Sequence, residues 1–327
     1  KFIDMYAGRL RNQVSFMLSA CNFYMPIFEE ALDAYGLPLE LRYLPIIESA
    51  LNPSAVSRAG ASGLWQFMIG TGKIYGLESN SLVDERRDPI KATWAAARYL
   101  KEMYDIYGDW NLVIAAYNCG PGTINKAIRR ANGETDYWKI YNYLPKETRG
   151  YVPAFIAANY VMTYYCDHNI CPMETNIPAS TDTVQVNKNL HFEQIADLCN
   201  VPLDQIKSLN PQYKKQMIPG DSKPYTLRLP IDAISTFIDK QDTIYTHRAD
   251  ELFRNRKTVA VKDITPATRK TTSAVAGKGN LTYYTIKSGD TLSTIARKYG
   301  VTIKDIQRWN GMSNTKIAAG KRLKIYK

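Results

Sequence analysis

The chain has 327 residues, 45% of them hydrophobic, and this length exceeds the usual size of one compact domain, so two or three folded units are expected. Five cysteines are too few for a disulfide-stapled scaffold, and the absence of CxxC pairs argues against a structural zinc site. We interpret them mostly as buried small residues, with a Cys166–Cys171 bridge as the alternative in an oxidising compartment.

The net charge of +11 is concentrated at the C-terminal end of the chain. From Arg254 onward there are 17 basic and 3 acidic residues, so this segment carries +14 and the preceding residues carry −3. Such a segment attracts nucleic acid, an anionic membrane surface or an acidic polymer, and charge alone does not choose among them. No stretch approaches the roughly 18 apolar residues of a membrane helix, and we expect any signal peptide or lipid anchor to precede Lys1.

From Phe2 to about Asn169 the chain carries apolar side chains at helical spacing, for example over residues 94–103 and 110–116. Glycine and proline interrupt this pattern at residues 36–38, 60–63 and 120–122. Several short helices joined by tight turns are therefore predicted, in one α-helical domain.

The remainder of the chain contains an internal repeat of a strand, two helices and a strand. In the first copy these elements are predicted at residues 183–186, 192–198, 203–209 and 225–229. In the second copy they are predicted at residues 283–286, 292–299, 303–309 and 323–326. The second helix of each copy runs into an asparagine, Asn210 or Asn310. The repeat predicts two small βααβ modules and an α+β multidomain chain.

The two copies are separated by a basic segment with few large apolar residues, which predicts a flexible tether. The expected domains are a helical domain at 1–178, a first module with a helical extension at 179–253, the tether at 254–280 and a terminal module at 281–327.

Glu48 is an unusual carboxylate, because it lies in the mostly apolar helical segment 41–51, which Asn52 and Pro53 should end within a turn. Burial and the free carbonyl groups at a helix C-terminus would both raise its pKa. A carboxylic acid that stays protonated near neutral pH is what general-acid catalysis requires. For a lone glutamate, the commoner alternative is a side chain that faces solvent.

Four motifs give Glu48 a context: residues 48–49 (ES), 60–68 (GASGLWQFM), 115–120 (AAYNCG) and 147–152 (ETRGYV). In this order, the motifs resemble those of the lytic transglycosylases related to goose-type lysozyme. The resemblance covers residues 38–160 and implies a lysozyme-like catalytic domain. Trp65 stands where the family usually has Met, and we expect its ring to present a flat apolar surface to a sugar.

The resemblance implies that Glu48 is the catalytic acid and that six further residues contact the glycan: Ser57, Gln66, Met68, Tyr117, Asn118 and Tyr151. Without the other motifs, Tyr-Asn before Gly would more often be a helix terminus, and Gly60 and Gly63 would be turn residues only.

The implied reaction uses one carboxylate, whereas most glycosidases use two. Glu48 would protonate the MurNAc–GlcNAc glycosidic oxygen and then accept a proton from the C6 hydroxyl, which closes a 1,6-anhydro ring. Neither a metal nor an organic cofactor is expected.

The terminal module resembles the LysM peptidoglycan-binding family at residues 284–296 (YTIKSGDTLSTIA) and 306–311 (IQRWNG). This resemblance implies glycan contacts at Gly289, Asp290, Thr291, Leu292 and Ile317. The first module is a degenerate copy, because residues 187–190 (NKNL) replace the SGDTL turn. Packing on the catalytic domain is its alternative to glycan binding.

The resemblances imply a monomer in the periplasm or cell envelope, or an outer-membrane lipoprotein if a lipid anchor precedes the chain. Its partner would be peptidoglycan strands. The open alternatives are a hydrolase that uses a positioned water and a non-catalytic wall-binding protein. Nucleic acid is not an expected partner, because the basic segment lacks interleaved aromatic residues or a recognised nucleic-acid-binding fold.

Overall fold

The computed structural model describes residues 1–175, 177–178, 180–253, 281–287, 289–310, 312, 314–315 and 317–326. The predicted tether at 254–280 lies outside the described residues, as do Ser288 and Gly311 of the terminal motifs. The chain divides into two compact units, Lys1–Pro266 and Ala267–Lys327.

Among the described residues, the helical domain contains nine α-helices. They are α1 (Phe2–Asp4), α2 (Arg11–Ala34), α3 (Leu44–Ser49), α4 (Ile69–Ile74), α5 (Pro89–Tyr107), α6 (Trp110–Cys119), α7 (Pro121–Arg130), α8 (Tyr137–Ile140) and α9 (Lys146–Thr163). A π-helical turn at Met5–Arg9 and short 3-10 segments at Leu39–Tyr43, Glu85–Arg87, Tyr141–Tyr143 and Tyr165–His168 complete it.

Helix α5 shows why these residues form helices. The side chain of Asp88 accepts hydrogen bonds from the first free amides, Pro89 occupies the first turn, and Gly108 ends the helix at φ +63°. The alanines on its inner face pack closely on α2 and α6. Residues 112–116 of α6 are all buried, so α6 is the central helix, and its last turn carries Tyr117 and Asn118.

The first module contains two small antiparallel sheets and two helices, followed by a helical extension. Its elements are β1 (Thr181–Val186), β2 (Asn189–His191), α10 (Phe192–Cys199), α11 (Leu203–Leu209), β3 (Met217–Pro219), β4 (Tyr225–Pro230), α12 (Ile231–Asp239), α13 (Gln241–Thr246) and α14 (Ala249–Leu252). Strand β1 pairs with β4, from Thr181 opposite Pro230 to Val186 opposite Tyr225, and β2 pairs with β3. The short β2–β3 pair was not predicted, because three residues carry too little alternation to identify a strand.

The terminal module has the predicted order, with β5 (Leu281–Thr285), α15 (Leu292–Tyr299), α16 (Ile303–Asn310) and β6 (Arg322–Tyr326). Strands β5 and β6 are antiparallel. The module buries a small core of its own, made of Tyr284, Ile286, Leu292, Ile295, Ala296, Ile306, Leu323 and Ile325.

The two modules share one hydrogen-bonding device at the end of the second helix. Asn210 donates to the carbonyls of Ile206 and Arg228 at 2.9 and 2.7 Å and accepts from the Arg228 amide at 2.8 Å. Asn310 donates to the carbonyls of Ile306 and Lys324 at 2.8 and 2.9 Å and accepts from the Lys324 amide at 2.7 Å. Each asparagine therefore ties its helix to the last strand, which explains why both repeats retain it.

The predicted α+β class, a helical domain followed by two βααβ modules, is confirmed. The interpretation of the cysteines as mostly buried was wrong: all five are free thiols, and Cys199 is the one that is buried, while Cys166 and Cys171 are exposed. None of the helices in the described ranges is both long and apolar enough to cross a membrane.

Candidate active site

Glu48 lies in the last turn of α3, at the wall of an open cavity of about 510 Å³. The helix is shorter than the segment predicted for it. Residues Ala50 and Leu51 adopt left-handed φ angles of +51° and +58°, so the chain turns away before Asn52 and Pro53. This abrupt end leaves the Glu48 side chain partly buried and directed into the cavity.

The surroundings of Glu48 favour its protonated form. Burial raises its pKa to about 7, and the negative charge of Glu147 also raises it, whereas a hydrogen bond from the Tyr151 hydroxyl to Oε1 lowers it. A group with this pKa is present in both protonation states near neutral pH. It can therefore donate a proton in one step and accept a proton in the next.

The loop at residues 55–68 contributes a second part of the cavity wall. Gly63 has φ +88°, and a Cβ atom at this position would lie 1.7 Å from the Arg86 carbonyl oxygen, so only glycine fits. Gln66 also has a positive φ, +48°, and its amide donates to the carbonyls of Gly63 at 2.8 Å and Ala55 at 3.3 Å. The loop is thus a tightly folded structure that holds Gln66 at the cavity.

Three predicted residues, Glu48, Ser57 and Gln66, line this cavity together. The Ser57 hydroxyl accepts a hydrogen bond from the Ala61 amide at 3.0 Å, which fixes its position in the loop. Met68 is 45% exposed at the start of α4, but it is not among the residues that line the cavity.

Helices α6 and α9 bring two tyrosines to Glu48. The Tyr151 hydroxyl bonds to Glu48, and the Tyr117 hydroxyl donates to the Trp65 carbonyl at 2.6 Å. Burial and then the charge of Glu48 raise the pKa of both phenols well above the usual value, so both remain protonated. The Asn118 side-chain oxygen accepts from Thr148 at 2.8 Å and so links α6 to α9.

The expectation for Trp65 was wrong. Its ring is fully buried, packs edge-to-face on Phe28 with the ring centroids 5.3 Å apart, and donates from Nε1 to Thr93 at 2.9 Å. Trp65 is therefore a core residue, and only its backbone carbonyl reaches the site through Tyr117. The large ring was compatible with either place, and sequence spacing alone could not distinguish them.

Several residues at the site carried no sequence signal. The N-terminal residues Met5, Tyr6, Leu10, Gln13 and Met17 line the cavity, although in the sequence they show only ordinary helical spacing. Arg86 supports the 55–68 loop from behind, donating to the carbonyls of Gly60 and Phe67 at 2.8 and 2.9 Å. Two neighbouring arginines in a polar stretch gave no sign that one of them is buried.

The glycan contacts predicted in the terminal module are only partly brought together. Ile317 lines a cavity of about 420 Å³ with Ile286, Met312, Ala318 and neighbouring residues. Asp290 accepts hydrogen bonds from Tyr284 and the Lys287 amide, both at 2.8 Å, and Thr291 caps α15. The Leu292 side chain is buried in the core of the module. Gly289 lies in the turn at φ +89°.

Within the described ranges, no group of three or more His, Cys, Asp or Glu side chains could hold a metal ion.

Three family models match separate parts of the chain. Residues 25–140 match the family model of the transglycosylase SLT domain. Residues 180–246 match the lytic transglycosylase MltD, LysM-like domain, and residues 284–325 match the LysM domain.

The chain is 33% identical over 294 residues to membrane-bound lytic murein transglycosylase D of Escherichia coli (strain K12), covering 89% of this chain and 60% of that protein. It is also 33% identical over 124 residues to the soluble lytic murein transglycosylase of the same strain, covering 36% of this chain and 19% of that protein.

The solved structure of the 70 kDa soluble lytic transglycosylase from Escherichia coli aligns with 44% of this chain and 24% of its own, at 29% identity and a TM-score of 0.38. The chain spans about 60% of the length of membrane-bound lytic murein transglycosylase D. By these sequence matches, the chain carries a transglycosylase SLT domain followed by a LysM-like domain of the MltD kind and a LysM domain.

Proposed function

We propose that this protein is a peptidoglycan lytic transglycosylase that cleaves the β-1,4 bond between MurNAc and GlcNAc and leaves 1,6-anhydroMurNAc ends. The observation that carries the proposal is Glu48, an acid with a pKa of about 7 at the wall of an open cavity. Among the described residues that line this cavity, Glu48 is the only carboxylate. A single acid–base group suits a reaction in which the substrate supplies its own nucleophile.

In the first step, the protonated Glu48 donates its proton to the glycosidic oxygen, and the bond from MurNAc C1 to that oxygen breaks. The resulting oxocarbenium-like sugar is assisted by its own acetamido group. The Glu48 carboxylate then accepts the proton of the C6 hydroxyl, and O6 forms the new bond to C1. The proton is returned to Glu48, and no water is consumed.

The neighbouring side chains have defined tasks in this proposal. The Tyr151 hydroxyl, bonded to Glu48, orients the carboxyl group and stabilises its ionised form. Gln66 and Ser57 present polar groups of the loop wall to N-acetyl and hydroxyl groups of the glycan. Met68, Tyr117 and Asn118 remain proposed contacts further along the strand.

The terminal module is proposed to hold the enzyme on glycan, with Ile317 at its binding cavity. The +14 charge from Arg254 onward favours an anionic cell wall over a neutral polymer. Peptidoglycan is thus the proposed partner, and the cell envelope is the proposed location. Ile317→Asp should weaken sedimentation with purified sacculi, while cleavage of short soluble strands should be unchanged.

The reaction is tested by digesting peptidoglycan in water enriched in oxygen-18 and measuring the masses of the products by mass spectrometry. Transglycosylation predicts MurNAc ends that are one water lighter than reducing ends and contain no heavy oxygen. Reducing ends that carry the label would instead identify a hydrolase. Glu48→Gln should lower turnover by about a thousandfold. No turnover in the intact protein would favour the non-catalytic wall-binding alternative, and unchanged turnover in the variant would show that Glu48 is not the catalytic acid.

A further inference from the structure

Residues 78–87, here called the docking segment, belong to the catalytic SLT domain by sequence but are partly enclosed by the first module. Leu82 and Val83 are 2% and 0% exposed, and both join the hydrophobic core of the first module rather than that of the helical domain. The Asn80 side-chain oxygen accepts from the amides of Leu82 and Val83 at 2.8 and 2.7 Å, which keeps their turn tight.

Polar contacts also join the docking segment to the first module. In the first module, the Lys214 amide donates to the Leu82 carbonyl at 2.8 Å, and the Asp84 amide donates to the Gln212 carbonyl at 2.9 Å. The Lys214 ammonium donates to the Asn80 carbonyl at 2.8 Å and lies 3.7 Å from the Asp84 carboxylate. Asp84 is 1% exposed, so the charge of Lys214 acts on it with little screening by solvent.

Asp84 in turn fixes the arginine that supports the loop wall of the active site. The two carboxylate oxygens accept from Nε and Nη2 of Arg86 at 2.9 and 2.8 Å, a bidentate pair buried on both sides. The remaining nitrogen, Nη1, donates to the carbonyls of Gly60 and Phe67. Arg87 adds a hydrogen bond to the Ser62 hydroxyl at 3.1 Å.

A buried guanidinium is costly unless its donors are paired, so Arg86 has few alternative positions. Its place is set jointly by Asp84 and by two carbonyls of the 55–68 loop. That loop carries Gln66 and Ser57, which line the same cavity as Glu48. A continuous chain of contacts therefore runs from Lys214 through Asp84 and Arg86 to the residues proposed to bind glycan.

We propose that the first module acts as a clamp that holds the 55–68 loop in its substrate-binding shape, with Lys214, Asp84 and Arg86 as positioning residues. The functional part of this inference rests on the proposed glycan cleavage, whereas the ordering of the loop does not. The module would thus act on the catalytic site from behind, without contacting the glycan there.

The test uses trypsin on the full chain, because Arg58 is exposed within the 55–68 loop and offers a cleavage site. The readout is the rate of cleavage after Arg58 divided by the rate after Arg130, which is exposed at the end of α7. Local loosening of the loop raises this ratio, whereas general unfolding raises both rates. Lys214→Met should raise the ratio by about tenfold, and Lys214→Arg should restore it.

Lys223→Met is the matched control. Lys223 pairs with Glu78 of the docking segment at 2.7 Å, whereas the hydrogen bonds and ion pairs of Asp84 and Arg86 in the described structure involve other partners. This variant removes an equal charge from the same interface and should leave the cleavage ratio unchanged. On soluble glycan strands, kcat/KM should fall about tenfold for Lys214→Met and stay near the wild-type value for Lys223→Met.

Two results would overturn the clamp: an unchanged ratio in Lys214→Met, or an equal rise in both variants. If the trypsin ratio rises in Lys214→Met but neither the wild-type protein nor any variant cleaves glycan, the clamp is supported and the proposed function is contradicted.

Hydrogen exchange of the wild-type chain tests the clamp if Lys214→Met does not fold. The Ser62 and Gly63 amides, bonded to Phe67 and Ala55, should then open together with amides of the first module as urea is added. Opening of these two amides independently of urea would contradict the clamp.

Discussion

The first and terminal modules have the same elements and the same asparagine device, yet they bury their surfaces differently. The terminal module closes its core with residues of its own. The first module completes its core with Leu82 and Val83 of the helical domain. One fold therefore serves as an independent unit in one place and shares a core with the helical domain in the other. The difference depends on what the module packs against, not on its topology.

The largest expected effect comes from two leucines that occupy equivalent positions in the last strand of each module, Leu227 in β4 and Leu323 in β6. Leu227→Ala and Leu323→Ala should each lower the free energy of unfolding by about 2–5 kcal/mol, because both side chains are buried. Leu227→Ala should lower the temperature at which catalytic activity is lost, since its module shares a core with the helical domain. Leu323→Ala should lower only a separate calorimetric transition. If Leu227→Ala leaves the temperature of activity loss unchanged, the first module and the helical domain do not unfold cooperatively.

The asparagines provide a smaller, matched test. Asn210→Ala should lower the free energy of unfolding by about 1–3 kcal/mol, because Asn210 is fully buried and its loss leaves the Arg228 amide and the carbonyls of Ile206 and Arg228 without this partner. Asn310→Ala breaks the same set of bonds at a partly exposed site, where water replaces them, and should have a smaller effect on its own transition. Calorimetry of both variants checks this order. Equal losses would show that burial does not set the strength of the device.

The ionisation of Glu48 should affect only the unit that contains it. Its pKa is 4.5 in an unfolded chain and about 7 in the folded protein, so the folded state loses stability as pH rises from 4.5 to 7. Glu48→Gln should therefore stabilise the first unit by about 1–2 kcal/mol above pH 7 and have no effect below pH 4.5. Thermal unfolding at both pH values, with the terminal transition as internal control, measures it. A pH-independent gain would point to a cause other than the carboxylate.

The smallest expected effect separates the clamp from the acid. Turnover should fall as pH rises through about 7, because Glu48 must be protonated to donate its proton. Glu147→Gln removes a charge that raises this pKa, so the fall should move to lower pH. Lys214→Met should leave its position unchanged, since Lys214 is not among the groups that set the pKa. This is measured by pH–rate profiles of the wild-type protein and the two variants. A shifted profile in Lys214→Met would mean that the clamp also affects the pKa of Glu48.

The sequence predicted the features that local patterns determine. The 3.6-residue spacing, the Gly and Pro turns and the repeated Asn identified the helical domain and both modules, and the ordered motifs selected Glu48. Contacts between distant segments were not predictable. The burial of Trp65 depends on Phe28 and Thr93, and the role of Arg86 depends on carbonyls 19 and 26 residues away. Leu82 and Val83 look like any short apolar pair, and only the fold reveals which core receives them.

The burial of Leu82 and Val83 in the core of the first module also determines where a recombinant fragment of this protein can end. A recombinant fragment that ends at residue 178, the predicted end of the helical domain, would expose both aliphatic side chains to water and remove the lysine that faces Asp84. Such a fragment would present an exposed apolar patch that favours aggregation. The smallest soluble catalytic fragment should therefore extend beyond residue 246, the last residue that matches the LysM-like family model.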